Sequence, residues 1–392
     1  MRIERIDLFY FALPEIQDRS DGSQDSFLLR VRTDTGLEGF GESDSAPLLA
    51  LAAYVMPMSH GNLVGLSEVL IGQTLDSTED IRRLYRLARR RALDMAQFPH
   101  AYAAADIALW DVLGKHLRQP VYKLLGHDAN LPKRAYSSNL FQETPDATEA
   151  LARRARQRGF RAAKFGWGPM GHHGEELDVA LVRQARRGLG PEAALMVDAG
   201  TVWQDDDATA LRRARLFADF NLTWLEEPLS PEAVAAYGRL SERSPVPIAA
   251  GEGCHTVRAA EDLLENGRVA FLQIDPGRIG GLTSAFEAYQ RARARGAVFV
   301  NHTFKSQVSL AAAMAVFAGD AAMPWVEFCQ SDSPLVAGLV QDPIRIDARG
   351  EVRLPERPGL GLEVSLAGLR DYARRAVITL DGRTIGASQA VD

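Results

Sequence analysis

Leu195-Met196-Val197-Asp198, Leu222-Thr223-Trp224-Leu225-Glu226 and Pro247-Ile248-Ala249-Ala250-Gly251-Glu252 are three apolar runs, each closing on a carboxylate. Each reads as a buried strand, and a helical stretch separates one from the next. The intervals match one βα unit, so the three acids converge at one end of a parallel barrel. Three carboxylates gathered in a low-dielectric site repel one another unless a cation holds them. An all-oxygen ligand set favours a hard divalent ion, Mg²⁺ foremost.

Working outward, the same alternation runs from about residue 133 to about 330. The strand candidates are 134–139, 161–166, 194–198, 222–226, 246–251, 270–275, 297–301 and 324–328. Eight such strands with helices between them predict a barrel, against the competing doubly wound sheet. One helix carries clear end signals: Thr144 as N-cap, Pro145 at the first helical position and Gly159 after the last turn. Ahead of the barrel, residues 1–42 read as β, with strands at 2–11, 26–32 and 37–41. Residues 13–26 and 43–65 read as irregular loops, and helices follow at 78–94 and 100–118. The strand at 376–380 is expected to fold back on this first domain.

Composition narrows the function. The chain has 392 residues, 46% hydrophobic and 24% charged, which suffices for two packed domains. A net charge of −6 argues against a nucleic-acid footprint. Arg89-Arg90-Arg91 and Arg153-Arg154 read as surface. Two cysteines, Cys254 and Cys329, stand outside any CxxC pattern and fit a reducing compartment. With no leader-like start and no long uncharged apolar run, a cytoplasmic protein is expected.

The later strands add acids and bases. Asp275 ends Phe271-Leu272-Gln273-Ile274, His302 follows Val298-Phe299-Val300-Asn301, and Glu327 lies in Trp325-Val326-Glu327. Neighbouring strand ends lie side by side, so Asp275 can fix the tautomer of His302 and raise its basicity. That makes His302 a candidate general base, with Glu327 a hydrogen-bonding acid near the substrate. Lys164, in Ala162-Ala163-Lys164-Phe165-Gly166, needs partners inside a barrel, and the carboxylates supply them. Each residue alone has a plainer reading, as a helix cap, a structural histidine or a snorkelling lysine. Six acids and bases on consecutive strands do not share one.

Together these residues resemble the enolase superfamily, and within it the mandelate racemase-like acid-sugar dehydratases. The segments that carry the resemblance are Ala105-Asp106-Ile107-Ala108-Leu109-Trp110-Asp111, Met196-Val197-Asp198-Ala199, Trp224-Leu225-Glu226-Glu227-Pro228, Gly251-Glu252, and Asp275 with Arg278-Ile279-Gly280-Gly281. The fold implied is α/β: a (β/α)₇β modified TIM barrel with an α+β capping domain built from both termini. Residues 1–126 and 355–392 would form the cap, and 127–354 the barrel. The resemblance implies one Mg²⁺ per subunit on Asp198, Glu226 and Glu252, an Asp275–His302 dyad, and dimers or octamers. It also implies lid loops offering Asp18, Arg19, Asp21, Tyr54 and His60. The expected reaction is dehydration of a sugar acid to a 2-keto-3-deoxy acid. Many relatives carry Lys-x-Lys on the second strand; here it is Lys164-Phe165-Gly166, which removes one base. Racemisation with Lys164 or Tyr54 as second base, and a non-catalytic sugar-acid binder, are the alternatives.

Overall fold

The computed structural model describes residues 1–391. Eight parallel strands form the barrel: β4 (Lys133–Leu140), β5 (Ala162–Gly166), β6 (Ala194–Asp198), β7 (Leu222–Glu226), β8 (Ile248–Ala250), β9 (Phe271–Ile274), β10 (Val298–Asn301) and β11 (Trp325–Cys329), and the short strand Glu351–Val352 adds antiparallel to β4. They pair in chain order from β4 to β10, and β11 returns to pair with β4. A helix covers each of the seven crossovers. The remaining seam, between β10 and β11, is bridged by one side chain. Asn301 accepts from the Glu327 backbone N–H at 2.9 Å and donates to the Glu327 carbonyl at 3.3 Å, as a ladder would. The barrel thus replaces the doubly wound alternative.

Strand periodicity fixes what the barrel holds. Tyr136, Ala162, Met196, Trp224, Ala249 and Val300 meet in a buried cluster inside the barrel. Side chains two residues apart share a face of a strand. Two positions beyond this floor, towards the strand ends, come Ser138, Lys164, Asp198, Glu226 and His302. The apolar plug therefore dictates which residues crown the barrel, and the same step takes Gln273 to Asp275 and Trp325 to Glu327.

Ahead of the barrel lies an antiparallel sheet of β1 (Ile3–Ala12), β2 (Asp25–Thr33) and β3 (Glu38–Ser43). The helix Phe98–His116 crosses it so closely that a β-carbon on Gly41 would fall 2.0 Å from the Ala104 carbonyl oxygen. Thr144 caps the helix Pro145–Gln157 through the Ala147 N–H at 3.3 Å, and Gly159 takes φ +97°. The stretch 43–65, expected to be irregular, contains the helix Pro47–Val55, because Pro47 starts a run of apolar helix formers. The C-terminal strand Val377–Leu380 pairs with Arg383–Ala387 as a hairpin, and the Gln389 N–H donates to the Leu8 carbonyl in β1 at 2.7 Å. The tail thus returns to the first sheet. Among the described residues no helix is long and apolar enough to cross a membrane.

Candidate active site

The strand ends and the first loop of the cap enclose a cavity of about 410 Å³. Its walls include Lys164, Asp198, Glu252, Arg278 and His302 from the barrel, and Arg19 and Asp21 from the cap. Asp198, Glu226 and Glu252 are all buried, and one oxygen from each lies within 4.8 Å of the others. Asp198 is steadied by the Gly200 N–H at 2.8 Å, and Glu226 by the Trp224 indole N–H at 2.8 Å. The second oxygen of each faces the Lys164 ammonium.

Lys164 is only 3% exposed. Its ammonium donates to Glu226, lies 2.8 Å from Glu327 Oε1 and 3.4 Å from Asp198 Oδ2. Burial alone would depress its pKa; Glu226, Glu327 and Asp198 outweigh it and hold the lysine protonated. Glu327 lies inside β11 rather than beyond its end, fully buried. Its oxygens are taken by the Ser138 hydroxyl at 2.8 Å and the Thr303 N–H at 2.6 Å, besides Lys164. It is therefore placed to hold the lysine, and it does not line the cavity.

His302 stands opposite. Its Nδ1 is 2.7 Å from Asp275 Oδ2 and its Nε2 is 3.2 Å from Glu252 Oε2. Asp275 is itself oriented by the Gly277 N–H at 2.6 Å. Burial works to lower the imidazole pKa, but Glu252, Glu327 and Asp275 raise it to about 10. Arg278 links two domains here: it donates to Glu252 at 2.9 Å and to Asp44 of the cap at 2.6 Å. Asp44, Arg278 and Lys305 escape a reading of the sequence as site residues, because the pairs that join them are hundreds of residues apart along the chain. Only the conspicuous Arg278-Ile279-Gly280-Gly281 motif pointed to the region.

Tyr54 and His60, expected in a lid over the site, do not line this cavity, and neither do three further loop histidines. Tyr54 is buried in the cap and donates to the Ala101 carbonyl at 2.9 Å, so it cannot act as a second base. His60 pairs with Asp94 on the surface, and the His255 ring lies 4.7 Å from that of His100. His172 and His173 line a neighbouring chamber of about 690 Å³, together with Trp167 and Asp18.

Comparison with known proteins bears on this geometry. Residues 16–126 match the mandelate racemase / muconate lactonizing enzyme N-terminal domain, and residues 147–367 match the enolase C-terminal domain-like family. The chain belongs to the mandelate racemase/muconate lactonizing group of the enolase superfamily. Within the superfamily it is 30% identical to a D-galactarolactone cycloisomerase of Agrobacterium fabrum, over 88% of this chain and 90% of that one. It is 29% identical to a 3,6-anhydro-alpha-L-galactonate cycloisomerase of Streptomyces coelicolor, over 92% and 96%. A solved structure described as a predicted mandelate racemase from Rhodobacter sphaeroides shares 42% identity and a TM-score of 0.94, covering 99% of both chains.

Enolase superfamily members typically bind Mg²⁺, and the residues present fit one. Seven buried or nearly buried carboxylates crowd the site: Asp44, Asp198, Glu226, Glu227, Glu252, Asp275 and Glu327. Three fixed cations, Lys164, Arg278 and Lys305, face them. The excess negative charge shows in Glu226, which burial and then the neighbouring acids push up to about 8 despite Lys164. A divalent ion on the trio would relieve this excess with the oxygen ligands it prefers. It would also offset the Glu252 charge beside His302, leaving that imidazole easier to deprotonate.

Proposed function

We propose that this enzyme-superfamily member is a Mg²⁺-dependent sugar-acid dehydratase. The observation that carries the reading is a single dyad-backed imidazole, His302, facing a carboxylate trio and a protonated lysine across one cavity. Asp198, Glu226 and Glu252 would hold the ion. When bound, the ion supplies positive charge to the substrate carboxylate as the adjacent carbon loses its proton.

The chain's own residues do the rest. His302 Nε2 takes the proton from the carbon beside the carboxylate, while Asp275 fixes Nδ1 as the protonated nitrogen. Lys164 sets its ammonium beside the carboxylate oxygens, where charge accumulates, and Glu327 and Asp198 hold it there. The protonated His302 then delivers its proton to the departing 3-hydroxyl. One C–H and one C–O bond break, water leaves, and the enol tautomerises to a 2-keto-3-deoxy acid. On this reading residues 1–126 and 355–392 cap the site and 127–354 form the catalytic barrel.

A second reading rests on the two cycloisomerase relatives. The same proton abstraction expels a β-oxygen that belongs to a ring, and the product keeps the mass of the substrate. Racemisation is less well supported, since its second base would have to be Lys164, whose buried ammonium is engaged by Glu226, Glu327 and Asp198. The test is a panel of aldonates, aldarates, their lactones and anhydro forms, with Mg²⁺ and mass-spectrometric readout. A product lighter by one water is expected. An isobaric keto acid selects cycloisomerisation, and no product from any sugar acid rejects both.

A further inference from the structure

The cations around the cavity are mostly committed to protein carboxylates. Lys164 serves Glu226, Glu327 and Asp198, and Arg278 serves Asp44 and Glu252. Arg19 differs. It comes from the cap loop rather than from a strand end, and its side chain is 48% exposed. One corner of its guanidinium is fastened, Nη2 lying 3.0 Å from Asp21 Oδ2. Asp21 is buried and itself anchored, accepting from the Ser23 N–H at 3.0 Å and from the Ser331 hydroxyl at 3.2 Å. Among the described residues, nothing accepts from Arg19 Nε or Nη1.

An arginine held at one corner, with donors to spare, is a preorganised receptor for a planar anion. Arg19 also marks the place where the site cavity meets the neighbouring chamber, since it lines both. The reacting carboxylate belongs with Lys164 and the trio at the strand ends. A second anionic group at the far end of the same molecule falls to the cap. We infer that Arg19 binds the distal carboxylate of a diacid, so that the substrate class is an aldarate or its monolactone rather than an aldonate. The inference rests on the sugar-acid reading above and chooses within it.

The test separates the two. Aldarates and their matching aldonates are titrated calorimetrically, with Mg²⁺ present, into His302→Asn protein and into the same protein carrying Arg19→Met. The best aldarate should bind about 10- to 100-fold tighter than its aldonate, the range expected for a charge-assisted pair. Arg19→Met should abolish that advantage and leave aldonate affinity unchanged, while Arg19→Lys retains part of it. Thermal unfolding of Arg19→Met should match the parent, as suits a half-exposed side chain. Equal affinity for both acid classes, a parallel loss of both in Arg19→Met, or no binding of either overturns the inference. Arg19-dependent aldarate binding, with no turnover of the same aldarate by the unmodified enzyme, would sustain it and reject the dehydratase. Turnover of aldonates as fast as aldarates, indifferent to Arg19, would do the reverse.

Discussion

Gly166 and Asp198 face each other across β5 and β6 with no room for a side chain between them. A β-carbon at 166 would fall 2.5 Å from the Asp198 β-carbon and 2.9 Å from its Oδ2. The residue at 166 thus sets where the Asp198 carboxylate lies. The missing second lysine and the placement of a proposed metal ligand are one structural fact.

Gly166→Ala should therefore displace Asp198 and weaken Mg²⁺ binding by about 10-fold or more, as loss of support around a metal ligand typically does. Mg²⁺ titration calorimetry reads this directly. Unchanged affinity would show that Asp198 is not a ligand, or that the strands yield freely.

His302→Asn removes the imidazole and keeps a similar volume. Turnover should fall by about 10³-fold or more, and exchange of the substrate α-hydrogen with D₂O should stop. Mg²⁺ binding should persist, because the trio does not include His302. Residual exchange at the parent rate would fall to another base and dismiss this one.

Asp44 ties the cap to Arg278 and, through it, to Glu252. Asp44→Asn keeps the shape and removes the charge. Amide exchange should quicken across residues 43–55 while the barrel strands stay protected, and kcat/KM should drop by about 10-fold. Exchange identical to the parent would mean the cap is held by its other contacts alone.

Asp106 joins the cap helix to the barrel, accepting from the Thr283 N–H at 2.9 Å and its hydroxyl at 2.7 Å. Burial, opposed by those bonds, pushes its carboxyl from 3.8 up to about 7. Between those values the folded protein keeps a proton that the unfolded chain has lost. Stability from this group is thus full below about pH 4 and declines as pH rises to about 7. The ceiling is on the order of 4 kcal/mol, from about 3 pH units at ~1.4 kcal/mol each. The Tm of Asp106→Asn relative to the parent should climb from pH 4 to 7 and then level. A flat difference would show that Asp106 does not titrate in this window.

Much of this was legible in the chain. Asp198, Glu226 and Glu252 each close an apolar run on one strand face, a pattern that survives folding because it is local. Asp275 and His302 were readable as a pair because parallel strands in chain order bring successive ends together. What stayed hidden depends on contacts distant in sequence. Glu42 is buried and accepts from Ser306 and Ser309, which no local pattern foretells. The resemblance puts Tyr54 in a lid loop, yet the helix Pro47–Val55 turns it into the cap core. The strand-end reading sets Glu327 near substrate, but its register in β11 aims it at Lys164. Arg19 and Asp21 were visible only as members of a polar loop; their pairing with each other and with Ser331 required the fold.

The side-chain plug beneath the crown of acids has a broader meaning. Tyr136, Met196 and Trp224 secure the barrel from one storey, while the groups expected to react occupy the storey above on the same strands. Apart from the Trp224 indole, which donates to Glu226, the apolar packing of the lower storey is made among its own side chains. A scaffold divided in this way can acquire new chemistry by single replacements without first risking collapse.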